Sequence, residues 1–167
     1  MSDSWLNVPG RISSTLHRCR FSKLAPVLLF LSTVISVGPA AAENLKFYEY
    51  EGQFADAAFD VESAIVDRGL VIDYVSHVGE MLKRTKDDVG GSKDVFENAD
   101  IYLFCSAVLS REVMEADPAN IAHCPYKVFV TENAGGEVQV GYQIMPDGPM
   151  KKVEALLDDI ARGATGN

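Results

Sequence analysis

The spacing of apolar and polar positions along this chain changes period several times, and each change marks an element. "NLKFYEYEG" (44–52) is a short alternating run and predicts an edge strand. "FADAAFDVESAIVDRG" (54–69) switches to a helical period, with Ala57, Val61, Ala64 and Ile65 on one face and Gly69 placed for a left-handed stop. "LVIDYVSH" (70–77) returns to alternation, with Leu70, Ile72 and Tyr74 on one side. "VGEMLKRTKDDVGGS" (78–92) predicts a short helix ended by Gly90 and Gly91. "VFENADIYLFC" (95–105) carries a third strand, with Ile101, Leu103 and Cys105 on one face.

The second half continues in the same way. "LSREVMEADP" (109–118) predicts a helix capped by Ser110 and followed by Pro118. "KVFVTENAGGEVQVGYQI" (127–144) predicts a hairpin, with Val138, Val140, Tyr142 and Ile144 alternating with polar residues or glycine beyond a Gly-Gly turn. Such alternation means one wet face and one buried face, which favours an antiparallel sheet. "GPMKKVEALLDDIARG" (148–163) has Pro149 near a helix start and an apolar stripe of Met150, Val153, Leu156, Leu157 and Ile160. The order β-α-β-α-β-α-β-β-α predicts an α+β fold. It is one compact domain with a five-stranded, mostly antiparallel sheet and helices packed on one face.

The first 42 residues fit none of these periods and read as a targeting segment. Arg11, Arg18, Arg20 and Lys23 precede the apolar run "LAPVLLFLSTVISV" (24–37), and Ala40 and Ala42 supply an A-x-A arrangement. The expectation is a signal peptide cleaved before Glu43, leaving a single domain at 43–167 in the periplasm or secreted. An uncleaved leader would instead act as a membrane anchor. After cleavage no stable membrane insertion is expected.

Charge changes the picture further. The whole chain carries 15 basic and 24 acidic residues. Loss of the leader removes four basic residues and one acidic residue, leaving a net charge of −12. Nucleic acid is not an expected partner, because phosphate binding needs clustered Lys and Arg, and "MLKRTK" is followed at once by Asp87 and Asp88. The pairs Asp87–Asp88 and Asp158–Asp159 read as solvated faces.

Cleavage would also remove Cys19 and leave Cys105 and Cys124. Cys105 ends one strand and Cys124 precedes the next. If those strands are antiparallel neighbours, the two residues meet at Cα separations of about 4.4–6.8 Å, as a disulfide requires. If a crossover joins them, the cysteines stand a strand length apart, roughly 15 Å, and no bond forms. An oxidising compartment favours the bond. A redox or metal role and a pair of unbonded thiols stay open as alternatives. Any metal would take Cys105, Cys124 and His123, but the spacing matches no standard zinc or haem pattern. Phosphate-loop, dinucleotide and nucleophile-elbow motifs do not occur, so no catalytic residue and no cofactor follow from motifs.

The segments "VGEMLKRTKDDVG", "FCSAVLSREVMEADPANIAHCPYKVFV" and "VQVGYQI" resemble the family called domain of unknown function 302, over about residues 45–145. The most specific parts are Phe104–Ala107 (F-C-S-A), Ala116–Pro118 (A-D-P) and Asn120–Tyr126 (N-I-x-x-C-P-Y). The resemblance implies a compact α+β domain able to dimerise and supports treating Cys105 and Cys124 as a unit. It implies no activity.

The leading expectation is a non-enzymatic, exported accessory domain that binds a small ligand or a periplasmic protein. Ser106, Asn120, His123, Tyr126 and His77 are its candidate binding residues. The alternative is a redox, metal or haem protein working through Cys105 and Cys124.

Overall fold

The structure, a computed structural model, describes residues 44–167. The expected leader and Cys19 lie outside the described residues. Ten elements follow in order: β1 (Leu45–Tyr50), α1 (Phe54–Val66), β2 (Val71–Ser76), α2 (Val78–Thr85), β3 (Asn98–Cys105), α3 (Ala107–Ala116), a 3-10 turn (Pro118–His123), β4 (Tyr126–Glu132), β5 (Val138–Gln143) and α4 (Lys151–Thr165). The strands form one sheet in the order β1-β5-β4-β3-β2, and every neighbouring pair is antiparallel. The α+β fold read from the periodicity is therefore the fold observed.

Residues directly opposite across antiparallel strands share a face, so the register sorts the sheet into two sides. Tyr102, Phe104, Tyr126, Val128, Val130, Val138, Val140 and Tyr142 line one side, and all are buried. The four residues read as the inner face of α1 are its buried residues. In α4, Val153, Leu157 and Ile160 close the same core, while Leu156 packs partly buried at its margin. Alternate β-branched and aromatic residues suit a pleated surface with one dry face, and their burial supplies most of the drive to fold. Val113 of α3 joins this core. The short helix α2 instead meets the start of β3. A Cβ on Gly79 would stand 2.5 Å from the Ala99 backbone nitrogen, so the close approach requires glycine.

Three local expectations change. A register shift at Asp73 separates Ile72, paired with Phe104, from Tyr74, paired with Leu103. Ile72 and Tyr74 thus lie on opposite faces, because a bulge consumes one residue of the alternation. Helix α3 begins earlier than its polar pattern implied. Its cap is Ser106, whose hydroxyl accepts from the Leu109 amide at 3.3 Å, and Ser110 lies inside the helix. Finally, Asp117 caps a separate turn through its bond from the Ala119 amide, a piece that hydrophobic period alone does not reveal.

Among the described residues, the second side of the sheet buries only Gly141 and, beside α2, Ala99. Along it run Phe47, Gly141, Phe129 and Ile101 in one row and Lys127, Leu103 and Tyr74 in the next. Cys105 and Val71 pair at its end.

Candidate functional site

The strand pairing decides whether the two cysteines can meet. Because β3 and β4 are antiparallel neighbours, Phe104 pairs with Tyr126, and the end of one strand meets the approach to the other. Cys105 and Cys124 flank that pair, and their Sγ atoms stand 2.7 Å apart as free thiols. Several bonds independent of sulfur hold this geometry. Ser106 caps α3, Asn120 Nδ2 donates to the Val113 carbonyl at 2.7 Å, and the Cys124 amide donates to the Ile121 carbonyl at 3.1 Å. The Cys124–Pro125 peptide is cis. Burial pushes the Cys105 thiol up to about 11, and the adjacent Cys124 sulfur and Asp73 add to the effect. Both sulfurs are half-buried at the rim of the uncovered sheet face.

The other candidate residues divide. Ser106, Asn120, His123 and Tyr126 gather around the thiol pair by chain position, but three of them are already engaged. Tyr126 is fully buried, and its hydroxyl receives a bond from Ser110 Oγ at 3.1 Å. Ser106 and Asn120 hold the ends of α3, as above. His123 is half-buried beside Cys124. His77 belongs elsewhere: it follows β2 where Ser76 pairs with Ile101, about 15 Å along β3 from Cys105 at 3.3 Å per residue. Its Nδ1 lies 2.8 Å from Asp100 Oδ1, a bond that raises the His77 pKa. Among the described residues, no group of three or more His, Cys, Asp or Glu side chains clusters as a metal site needs.

A polar site that motif reading missed lies on the core side of the sheet toward its β1 edge. Asp158 Oδ1 accepts from the Tyr48 hydroxyl at 2.5 Å and from the Tyr142 hydroxyl at 2.7 Å. Asp158 is therefore no solvated half of an acidic pair, although neighbouring Asp159 is exposed. Burial alone would raise its pKa, but the two phenol bonds, Arg162 and Lys46 outweigh it and hold the carboxyl below its usual range. Two residues along β1 and on the same face, Tyr50 donates to Asp60 at 2.6 Å, which pushes the phenol up to about 12. These bonds tie β1 to both covering helices. A groove of about 1100 Å³ opens beside them, between β1 and the ends of α1 and α4. Its Arg68 is occupied, donating to the Ala64 and Asp159 carbonyls at 2.7 Å each. Among the described residues, every buried side-chain nitrogen or oxygen has a partner.

The architecture defines a small α+β domain whose single antiparallel sheet is covered by helices on one side. A family profile described as "Domain of unknown function DUF302" matches residues 47–160, and the chain belongs to this family. Among solved structures, it is similar to the crystal structure of uncharacterized conserved protein DUF302 from Bacillus stearothermophilus. That match has a TM-score of 0.54 at 15% identity and covers 75% of this chain and 95% of the other. It shows the shared fold. No curated protein matches the chain. Among the described residues no helix is long and apolar enough to cross a membrane.

Proposed function

We propose that this is an exported, non-enzymatic accessory domain that binds a partner through the uncovered face of its sheet. One observation carries the binding surface: that face exposes large apolar side chains, with Val71 74%, Tyr74 64% and Phe47 40% exposed. Large apolar side chains exposed on one sheet face of a strongly acidic domain mark an interaction surface. Five strands at about 4.8 Å and six residues at about 3.3 Å give a face of roughly 24 by 20 Å. Two such faces bury about 1,000 Å², the lower edge of a specific interface. This size suits a transiently bound periplasmic protein or a second copy of the chain. Support for export comes from the leader pattern of residues 1–42.

The test is site-specific photo-crosslinking in the cell, with the crosslinker at Tyr74 or, as a control, at Phe59 on the outer side of α1. Crosslinks from Tyr74 that disappear with Val71→Glu are expected. Equal products from Phe59, or none from Tyr74, reject the surface.

A second reading is favoured by the 2.7 Å approach of the thiols. Cys105 and Cys124 close into a disulfide that pins the α3 connection. A bond across a loop of about 20 residues stabilises the fold by roughly 3 kcal/mol in the chain-entropy model. Intact mass before and after reduction and alkylation tests it, because a permanent bond leaves both sulfurs unlabelled until reduction.

A further inference from the structure

We propose that Cys105 and Cys124 form a dithiol–disulfide exchange site that reacts with an apolar-flanked disulfide of a protein or peptide docked on the uncovered sheet face. The inference rests on the binding surface proposed above and adds the chemistry performed at its edge.

Three observations converge on it. The two Sγ atoms stand 2.7 Å apart, within reach of a bond. Strand register, the Ser106 cap and the Asn120 bond, none of which involves sulfur, place them there. Such preorganisation converts the second, intramolecular step of exchange into a fast one. The pair also sits at the end of the binding face rather than under it. Ile101, Leu103 and Cys105 occupy successive positions on that face, and exposed Val71 pairs with Cys105 itself. Val108 in the first turn of α3 and Ile121, whose carbonyl receives the Cys124 amide, are further exposed apolar residues close in sequence to the pair.

The exposed apolar residues and the acidity of the domain select the substrate. Glutathione disulfide is small, polar and negatively charged. It is repelled by the domain's acidic charge, to which Asp73 beside Cys105 contributes, although exposed Lys127 pairs with Leu103 on the same face. A neutral disulfide between apolar residues matches both features.

The reaction balances within the two partners. One chain thiol loses its proton and its sulfur attacks the partner disulfide. That S–S bond breaks, a mixed disulfide forms, and the departing partner sulfur takes up the proton. The second chain thiol then loses its proton and attacks the mixed disulfide on the chain's own sulfur. The second partner sulfur leaves and is protonated. Two chain thiols become one disulfide, one partner disulfide becomes two thiols, and the sequence runs in reverse with a reduced partner.

The test mixes the reduced, purified protein with a neutral peptide whose disulfide is flanked by apolar residues, and separately with glutathione disulfide. Acid quenching and peptide mass mapping follow the bonds and separate Cys105 and Cys124 from Cys19. Expected results are reversible formation of the Cys105–Cys124 bond, about tenfold faster with the peptide, and a trapped mixed disulfide in Cys105→Ser or Cys124→Ser. Tyr74→Glu should slow the peptide reaction by more than it slows the glutathione reaction. A bond that resists reduced peptide and excess glutathione, or thiols that neither variant traps, overturns the exchange site. Exchange that proceeds equally with both probes and ignores Tyr74→Glu overturns the inferred substrate. Tyr74 crosslinks in cells that persist when both cysteines are serine leave the binding surface standing by itself.

Discussion

Replacing Asp158 with alanine tests whether the edge strand β1 depends on a carboxylate in α4. Asp158 Oδ1 receives hydroxyl bonds from Tyr48 of β1 and Tyr142 of β5 at 2.5 and 2.7 Å. A hydrogen bond to a charged group is worth ~1.5–3 kcal/mol, and its loss strands two phenols. The Asp158 side chain keeps 29% of its exposure, so water restores part of the loss. The two bonds also share one acceptor and do not add fully. Asp158→Ala should therefore cost about 2–3 kcal/mol, a fall of roughly 1–2 M in the urea midpoint. Asp158→Asn keeps an acceptor without the charge and should cost less. The pH profile adds an independent check. Asp158 is held below its usual range in the fold, so the unfolded chain takes up the proton first as pH falls. Its contribution is complete above the unfolded value of about 3.9 and is lost as pH drops through the lower folded value. Asp158→Asn should flatten that acid limb. A loss below about 0.5 kcal/mol for Asp158→Ala, the size of an ordinary surface change, would refute the tie, as would an acid limb unchanged in Asp158→Asn.

Two further perturbations probe the sheet and its margin. A Cβ on Gly141 would lie 2.5 and 2.7 Å from ring atoms of Phe129 and 2.9 Å from the Lys46 carbonyl oxygen. Gly141→Ala should cost about 1–3 kcal/mol by overpacking, and an unchanged midpoint in chemical denaturation would show that the ring moves freely. His77 is raised above its usual value first by its hydrogen bond to Asp100 and then by that residue's charge. Its stabilisation is present below the unfolded value near ~6.5 and is lost as pH rises through the folded value. With the His77 side chain 56% exposed, the contribution is ~0.2–0.5 kcal/mol. Asp100→Asn should bring the NMR titration midpoint of His77 down, and an unmoved midpoint would count against the pair.

What the sequence made legible was its local order. The inner face of α1 and the dry side of β5 follow from period because each position answers to its near neighbours. The bulge at Asp73 was invisible, since nothing in "VIDYVS" announces that one residue drops out of the alternation. It is also what turns Tyr74 outward and makes the exposed face. The α3 cap was misplaced because Ser106 and Ser110 are both plausible caps, and only the end of β3 chooses between them. Asp158 looked like half of a solvated acidic pair because its partner Tyr48 lies 110 residues away. For the cysteines, sequence posed a conditional that only strand topology could answer, since proximity depends on whether β3 and β4 run as neighbours.

The sheet order has a consequence for how the chain comes together. Among the described residues β1 pairs only with β5, joining Leu45 to Gln143 across most of the domain, while β2 lies at the far edge. The first described strand therefore has no neighbour until the last one exists. Loop closure of that span comes before the contacts that reward it, which slows the final step of folding. A ribosome-bound chain lacking β5 and α4 keeps β1 unpaired. The domain becomes cooperative only once almost its whole length has been made.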